Sequence, residues 1–289
     1  MNAPQSAEWV IETVNDAAGF RTALKAQGPV RTIASAQDLK LFRNPTFGSV
    51  MMLDGAVQIT SADEFIYHEM MAHVPATTHP APQTALVIGG GDGGILRELL
   101  RHPTLTEATL VEIDQAVIDL SKEVFAEVSA GAFDDPRVTV VIADGARFLA
   151  DTRRQYDLII VDSPDPVGSG AVLFEREFYQ HCASRLAPGG VLVTQSGMPF
   201  LTPDWFAGHS ARLRGVFPLV SMFLSTIPSY TGGPMAHSLC RLQSAAAPAA
   251  QTLAQRAAAI GGEMRYWSPQ VHAAAFALPP YIAALVQRE

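Results

Sequence analysis

The sequence predicts an α/β protein, with a Rossmann-like, doubly wound parallel sheet preceded by a small N-terminal β domain. Short apolar strands alternate with helical stretches from residue 84 to about residue 243. Glycines 89, 91 and 94 form a G-x-G-x-x-G turn directly after an apolar strand, as nucleotide-binding sheets require. The first 82 residues instead contain short runs of strand type that are separated by turn signals.

The two parts of the chain are expected to form two domains. Residues 1–82 are predicted to form a β-rich domain with a linker helix, and residues 83–289 a Rossmann-like catalytic domain with a C-terminal extension. Asp54-Gly55 between two apolar runs favours a type I′ hairpin. Ser61 is a candidate N-cap for a helix over 62–74. Strands are expected over residues 30–36, 38–43, 49–53 and 56–60.

The second domain begins with the strand that leads into the glycine turn. Near-continuous apolar strands that alternate with helices are typical of a parallel sheet covered on both faces. Residues 217–226 and 238–243 are predicted to form an antiparallel edge pair, and residues 245–259 a linker and a short helix. The expected parallel strands cover residues 84–88, 108–112, 138–143, 158–162 and 191–195, and the helices between them 95–101, 115–128, 146–151 and 175–186.

Composition and charge argue against several classes of function. The formal net charge is −8, whereas a nucleic-acid partner would require a basic face. No apolar run is as long as a membrane span, and the first residues lack the basic and apolar regions of a secretory signal peptide. Cys182 and Cys240 lie far apart in the sequence and are expected to be free, buried thiols. We therefore expect a cytoplasmic protein that binds neither nucleic acid nor membrane.

Acidic residues follow four successive strands of the predicted sheet. Asp92 lies in the glycine turn, and Glu112 and Asp144 follow the next two strands. Asp162 and Asp165 follow the fourth. Because ligands of such sheets bind outside the carboxyl ends of the strands, these carboxylates should face one site. Helix capping is an alternative explanation that fits Asp144, but not Asp162 and Asp165, since a loop rich in proline and glycine follows them.

The carboxylates predict a ligand that contains a nucleoside and a positive charge. Glu112 ends the second strand about twenty residues after the glycine turn, where an acid accepts hydrogen bonds from a ribose diol. Asp92, Asp162 and Asp165 would converge where NAD places its pyrophosphate. At an effective dielectric of about 20, one unit charge about 4 Å away contributes roughly 4 kcal/mol. That magnitude favours a cation and disfavours NAD.

A nucleoside sulfonium fits both requirements. Enzymes that use S-adenosylmethionine share the class I methyltransferase-like version of this fold and usually carry an acid two residues before the first glycine. Here that position is Val87, and the acid, Asp92, lies inside the turn instead. The arrangement suits a sulfonium that keeps its ammonium group and has lost its carboxylate.

Short motifs spread over nearly the whole chain match one enzyme family. They are Leu53-Asp54-Gly55-Ala56-Val57-Gln58, Asp63-Glu64-Phe65-Ile66-Tyr67-His68-Glu69-Met70, Gly89-Gly90-Gly91-Asp92-Gly93-Gly94, Val111-Glu112-Ile113-Asp114, Asp144-Gly145, Asp162-Ser163-Pro164-Asp165-Pro166, Thr226-Ile227-Pro228-Ser229-Tyr230, Tyr266-Trp267-Ser268-Pro269 and Ala274-Ala275-Phe276-Ala277-Leu278-Pro279. Together they resemble the spermidine synthases, the polyamine aminopropyltransferases, of bacteria. The resemblance implies transfer of an aminopropyl group from decarboxylated S-adenosylmethionine to putrescine, which yields spermidine and 5′-methylthioadenosine. The donor is a co-substrate, and no other cofactor is implied.

The resemblance also implies roles for individual residues. Asp162 resembles the general base, Asp165 the anchor for the cationic part of the diamine, and Asp92 the acid that holds the aminopropyl ammonium. Glu112 resembles the ribose ligand, and Asp144 with Gly145 the adenine contact. The further implied substrate contacts are Gln37, Tyr67, His68, Ser169, Gln195 and Tyr230. Because the family usually assembles as a homodimer or larger, we expect a homodimer or homotetramer.

No metal site is expected. His68 and His73 lie five residues apart on one predicted helix. The zinc motif H-E-x-x-H places its histidines four apart, so that both lie on one face of the helix. His68 and His73 therefore do not share a face, and His272 near the C-terminus is expected to be structural.

The loop after Asp162 departs from the family pattern. Pro164 replaces a threonine, Ser169 stands where a proline is expected, and residues 170–172 lack the usual acid. These changes bear on the choice of acceptor amine more than on the type of reaction. Three alternatives stay open: aminopropyl transfer to cadaverine, agmatine or spermidine, methyl transfer from intact S-adenosylmethionine, or a non-catalytic sensor of polyamines or nucleosides.

Overall fold

The N-terminal part of the molecule consists of two small antiparallel sheets. The computed structural model describes residues 8–34, 37–164, 168–243 and 247–288. The first sheet pairs β1 (Trp9–Glu12) with β2 (Thr22–Lys25), which the sequence did not predict. The second has the strand order β3-β4-β5-β6. Its strands are β3 (Arg31–Ala34), β4 (Asp38–Asn44), β5 (Gly48–Leu53) and β6 (Ala56–Thr60).

In the second sheet, the predicted turn between β5 and β6 is present, and the strands lie close to their predicted positions. Asp54 (φ 48°) and Gly55 (φ 81°) both have positive φ between β5 and β6, which confirms the predicted type I′ hairpin. The last two residues of the strand expected over 30–36 lie outside the described ranges.

Helix α1 (Glu64–Thr78) extends further than the sequence predicted. Pro75 lies inside it and removes one backbone hydrogen bond. The hydroxyls of Thr77 and Thr78 bond to the carbonyls of His73 and Val74 at 2.6 and 2.8 Å. Since every residue from 66 to 77 is buried, tertiary packing outweighs the cost of the proline.

The start of α1 also differs from the expectation. The residue that precedes the helix is Asp63 rather than Ser61. The Ser61 hydroxyl instead accepts a bond from the Ser49 N–H at 3.0 Å. The carboxylate of Asp63 bonds to Thr60 and to Ser229 at 2.6 and 2.7 Å, so it ties β6 to a distant loop.

Within the described residues, a seven-stranded sheet forms the centre of the molecule, in the order β12-β13-β11-β10-β7-β8-β9. Strands β7 to β11 run parallel, whereas β13 pairs antiparallel with β11 and β12. This confirms the predicted doubly wound sheet with an antiparallel edge pair. The strands are β7 (Thr84–Gly89), β8 (Glu107–Glu112), β9 (Val138–Ile142), β10 (Tyr156–Asp162), β11 (Leu186–Gln195), β12 (Leu219–Ser225) and β13 (Met235–Arg241).

The helices between the parallel strands occur where they were predicted, but one of them is split in two. The helix expected over 115–128 is two helices, because buried Phe125 (φ −119°, ψ 36°) leaves the helical conformation. The short helix expected within 245–259 is confirmed, whereas the helix over Pro203–Arg214 and the last two helices were not predicted. The helices are α2 (Gly94–Leu100), α3 (Gln115–Val124), α4 (Ala126–Ser129), α5 (Gly145–Asp151), α6 (Arg176–Arg185), α7 (Pro203–Arg214), α8 (Ala250–Ala259), α9 (Pro269–Ala275) and α10 (Pro280–Val286).

Both faces of the large sheet are buried. Val87, Ile160 and Val193 belong to the core cluster that also contains α1 residues, and their strand neighbours Leu86 and Ile159 belong to the cluster on the opposite face. Helix α1 packs on α2, β10 and β11. The domain boundary at residues 82 and 83 stays a prediction.

The strand order determines where a ligand can bind. The chain passes from β7 outward through β8 and β9, then returns to β10 on the other side of β7. In open α/β sheets the crevice lies at this reversal, outside the carboxyl ends of the strands. Cys182 and Cys240 are free and buried, as expected. None of the described helices is long and apolar enough to cross a membrane.

Candidate active site

A cavity of about 350 Å³ lies over the ends of β7, β8 and β10. Every predicted site residue whose side chain is described lines it: Gln37, Tyr67, His68, Asp92, Glu112, Asp144, Gly145, Asp162, Gln195 and Tyr230. Asp165 lies outside the described residues, as does the side chain of Ser169. The topology therefore gathers residues from both halves of the sequence, while the role of each one stays a prediction.

The glycine turn brings three chain segments into contact. Gly89 has φ 79°, and a side-chain carbon there would lie 2.0 Å from the carbonyl oxygen of Asp162. At Gly94 such a carbon would lie 2.1 Å from Nδ1 of His68. The absence of side chains at these glycines therefore lets β10 and α1 approach the turn.

Asp92 faces a positively charged partner within the protein. Its Oδ1 accepts a 2.7 Å bond from the N–H of Gly94 and lies 3.2 Å from Nε2 of His68. Burial alone would raise the pKa of Asp92, but the charge of His68 and these hydrogen bonds lower it below its usual value. Asp92 is therefore ionised at neutral pH.

Asp162 has a different environment. The hydroxyl of Tyr67 donates a 2.7 Å hydrogen bond to its Oδ1. Burial, together with the negative charge of Asp92, raises the pKa of Asp162 to about 7, while His68 and Tyr67 oppose the rise. Two neighbouring carboxylates thus have pKa values on opposite sides of the ordinary value, as sites that need one charged anchor and one base require.

Glu112 lies at the end of β8, with 7% of its surface exposed. Its Oε1 accepts a 2.9 Å bond from the N–H of Asp114. Burial raises the pKa of Glu112 to about 7, although backbone hydrogen bonds lower it. The carboxylate is in the position where a ribose diol can bond to it.

Asp144 caps α5, as the helix-capping explanation predicted. Its Oδ1 accepts bonds from the N–H groups of Ala146 and Arg147 at 2.8 and 3.0 Å. Asp114 caps α3 in the same way, through a 2.9 Å bond from Ala116. Among the described residues, no helix start donates such a bond to Asp162, which ends β10 and lines the cavity.

Aromatic and amide side chains also line the cavity. The rings of Tyr67 and Tyr230 lie 6.2 Å apart, and the Tyr230 hydroxyl donates to the carbonyl of Gln58. The amide oxygen of Gln195 accepts a 2.8 Å bond from the N–H of Gly197. This combination of apolar walls and oriented polar groups fits an alkyl amine.

Sequence reasoning missed several residues of this cavity. Glu12 lies in it, and its two oxygens accept bonds from Val57 and Thr22 at 2.9 and 2.6 Å. Its strand was not predicted, so no signal pointed to it. Other missed residues that line the cavity are Gln58, Met198, Trp205 and Thr231.

The donor atoms of His68, Asp92 and Asp162 all lie within 4.8 Å of one another. Both nitrogens of His68 face carboxylates, Asp92 on one side and Glu64 on the other. Burial lowers the pKa of His68, but these two carboxylates raise it to about 10. The two carboxylates therefore favour the imidazolium form, in which neither nitrogen has a free lone pair. The expectation of no metal stays a prediction.

Comparison with known proteins identifies the family. Residues 64–248 match the model of the spermine/spermidine synthase domain, and residues 9–61 match the spermidine synthase tetramerisation domain. The chain is 48% identical over 254 residues to a polyamine aminopropyltransferase of Ruegeria sp., which covers 86% of this chain and 88% of that protein. It is 44% identical over 260 residues to polyamine aminopropyltransferase 1 of Pseudomonas aeruginosa, covering 88% and 89%.

Solved structures agree with this assignment. A spermidine synthase in complex with the transition-state analogue AdoDATO superposes with a TM-score of 0.89 at 35% identity, covering 98% of this chain and 96% of that one. The spermidine synthase of Thermotoga maritima superposes with a TM-score of 0.87 at 34% identity, covering 98% and 95%. The chain therefore belongs to the spermine/spermidine synthase family, the polyamine aminopropyltransferases.

Proposed function

We propose that this enzyme transfers the aminopropyl group of decarboxylated S-adenosylmethionine to putrescine, giving spermidine and 5′-methylthioadenosine. The observation that supports this most is the pair of unlike carboxylates in the cavity. Asp92 is an ionised carboxylate that can hold an ammonium group, and Asp162 has a pKa of about 7. The donor needs a charged anchor for its ammonium group, and the acceptor amine needs a base that removes its proton.

The base is needed because putrescine is protonated at neutral pH. An alkyl ammonium with a pKa of about 10.4 loses its proton at pH 7.5 at a cost of about 4 kcal/mol. Raising the pKa of Asp162 from its ordinary value to about 7 makes it a better proton acceptor by roughly 4 kcal/mol. The lone pair of the neutral amine then attacks the aminopropyl carbon next to sulfur. The C–S bond breaks toward sulfur, which leaves as a neutral thioether and needs no acid.

The donor is proposed to bind along the ends of β7, β8 and β9. Glu112 accepts hydrogen bonds from the ribose diol, Asp144 and Gly145 contact adenine, and Asp92 binds the aminopropyl ammonium. The donor is a co-substrate, so the reaction needs no separate cofactor. Loss of the donor's carboxylate matters here because Asp92 would repel it. This argument disfavours the alternative of methyl transfer from intact S-adenosylmethionine.

The acceptor is proposed to lie between Tyr67 and Tyr230, with Gln37, His68 and Gln195 around it. Asp165 is proposed to bind its far ammonium, and Ser169, in the loop after Asp162, to be a further substrate contact. The substitutions in this loop keep cadaverine, agmatine and spermidine as alternative acceptors. They are also the only feature that favours a non-catalytic sensor.

We further propose a cytoplasmic homodimer or homotetramer that binds no nucleic acid. The match of residues 9–61 to a tetramerisation domain supports the assembly. The net charge of −8 supports the absence of a nucleic-acid partner.

One assay tests the proposed function. The protein is incubated with decarboxylated S-adenosylmethionine and, in separate reactions, putrescine, cadaverine, agmatine and spermidine, and 5′-methylthioadenosine is followed by mass spectrometry. Intact S-adenosylmethionine serves as the matched donor control. Fastest turnover with putrescine is expected. A preference for another amine would transfer the proposal to that acceptor, and no product with any amine would overturn it.

A further inference from the structure

A chain of buried charges runs from the cavity into the protein behind His68. Nε2 of His68 lies 3.2 Å from Asp92, and its Nδ1 lies 2.6 Å from Oε2 of Glu64. The side chains of His68 and Glu64 are only 4% and 6% exposed. The imidazole ring is therefore held between two carboxylates, one in the cavity and one behind it.

Glu64 is itself held by an arginine. Nη1 and Nη2 of Arg97 donate to its two oxygens at 3.1 and 3.0 Å. Arg97 also donates to the carbonyl of Val128 at 2.7 Å and to Glu98 at 2.7 Å. Such a two-point bond fixes the plane of the Glu64 carboxylate, and with it the orientation of His68.

The His68 ring packs closely against the glycine turn. Gly94 lies directly under it, since a side-chain carbon at that position would meet Nδ1 of His68 at 2.1 Å. The N–H of Gly94 donates to Asp92. The same glycine therefore supports both members of the ion pair.

We propose that Glu64, oriented by Arg97, is a positioning residue that holds His68 as a fixed cation against Asp92 and so separates the roles of Asp92 and Asp162. Without that cation, two nearby carboxylates tend to share one proton. With it, Asp92 stays charged as the ammonium anchor, while Asp162 accepts the proton. This role rests on the proposed function, whereas the charge state of His68 can be measured without turnover.

The pH dependence follows from the groups that surround His68. A positive charge on His68 lowers the pKa of Asp162, and Asp92 raises it. Removing the charge of Glu64 withdraws one of the two carboxylates that keep His68 protonated. Within the part of the chain that the structure describes, the titratable and charged groups that face His68 and Asp162 include Glu64 and Tyr67 on α1, Asp92 in the glycine turn, Arg97 on α2, Glu112 at the end of β8, Asp162 itself and Tyr230.

The first experiment measures His68 in the wild-type protein. Nitrogen-15 NMR of histidine-labelled enzyme, with His68 assigned by the His68→Gln variant, should show both ring nitrogens protonated at pH 8. A neutral His68 ring at pH 8 would overturn the proposal, whatever the enzyme turns over.

The second experiment compares Glu64→Gln with Glu69→Gln. Glu69 is a buried carboxylate on the same helix, and its oxygens accept bonds from the N–H groups of residues 265–267 rather than facing His68. Glu64→Gln should lower the pKa of His68. As His68 loses its positive charge, the pKa of Asp162 rises, so the acidic limb of kcat/KM should move upward by about one pH unit. Glu69→Gln should lower thermal stability but leave the His68 titration and the pH profile of kcat/KM unchanged.

An unchanged pH profile and His68 titration in folded Glu64→Gln would overturn the proposal, as would an equal shift in Glu69→Gln. If Glu64→Gln does not fold, Arg97→Lys replaces it. That variant keeps the charge but loses the two-point bond, and it should lower kcat. Thermal stability should also fall, because Arg97 bonds to Glu98 and to the carbonyl of Val128 as well. Wild-type kcat in Arg97→Lys would count against the positioning role.

Discussion

The hydroxyl of Tyr67 on α1 donates a 2.7 Å hydrogen bond to Oδ1 of Asp162 at the end of β10. This bond joins a residue before the parallel sheet to the proposed base within it. It favours the ionised carboxylate, against the burial and the charge of Asp92 that favour the protonated form. The bond therefore orients Asp162 and keeps its pKa close to neutrality.

Replacing Asp162 tests its role as the base. Asp162→Asn should lower kcat by about 10²- to 10⁴-fold, since an amide cannot accept the amine proton. Donor affinity, measured by calorimetry, should stay within a few-fold of wild type, because the proposed donor ligands Asp92 and Glu112 are unchanged. Turnover at the wild-type rate would remove Asp162 from this role.

Removing the Tyr67 hydroxyl should shift the pH profile. In Tyr67→Phe the ionised form of Asp162 loses a hydrogen bond, so its pKa rises above about 7. The acidic limb of kcat/KM should move to higher pH, with an activity loss of about 10-fold at neutral pH. Tyr179→Phe is a matched control, because Tyr179 is also buried but packs with Phe178 and Leu213 in another cluster. A downward shift of the limb in Tyr67→Phe would contradict the prediction.

Two helical glycines should respond in opposite ways to alanine. Gly94→Ala forces a carbon to within 2.1 Å of Nδ1 of His68, and overpacking of this kind costs about 1–3 kcal/mol. Gly208→Ala on α7 meets only the Nη1 of Arg212 at 3.9 Å and should stabilise the protein by up to about 1 kcal/mol. Thermal unfolding measures both changes, and donor affinity should fall only in Gly94→Ala. Equal melting temperatures in the two variants would contradict the packing argument.

A buried acid on α2 should make stability depend on pH. Burial raises the pKa of Glu98, but His73, Arg97 and Arg101 lower it to about 2. Since the pKa of an unfolded glutamate is about 4.3, this interaction stabilises the fold above that pH and is lost as pH falls toward 2. Its contribution at neutral pH is about 3 kcal/mol.

The measurement is urea unfolding between pH 7 and pH 3. Glu98→Gln should be less stable than wild type at pH 7 and should lose less stability on acidification. Glu127→Gln, at an exposed position on α4, should follow the wild-type curve. Parallel pH curves for Glu98→Gln and wild type would show that the carboxylate is not held as described.

Much of the fold follows from local patterns. The apolar strands, the turn at Asp54-Gly55 and the order of strands and helices are properties of short segments. The pattern missed β1 and β2 because these strands are short and largely exposed. It ended α1 too early because Pro75 breaks isolated helices, while burial from residue 66 to residue 77 maintains this one.

Which acidic residues line the site could also be predicted from the sequence. Residues at the carboxyl ends of parallel strands share one edge of the sheet whatever their side chains, so Asp92, Glu112 and Asp162 had to meet. The pairing of His68 with Asp92 could not be predicted, because it depends on how α1 docks on the glycine turn. One signal for Glu64 was available, since residues four apart on a helix share a face.

The sequence by itself predicted the sheet, the row of acidic residues at the carboxyl ends of its strands, and a ligand that contains a nucleoside and a positive charge. All three follow from the local alternation of strands and helices and from the topology that this alternation produces. Only the tertiary structure decided which carboxylate stays charged and which can accept a proton. Burial and cross-element contacts control that choice. Asp92 meets His68 across the glycine turn, whereas Asp162 meets a neutral phenol and the charge of Asp92.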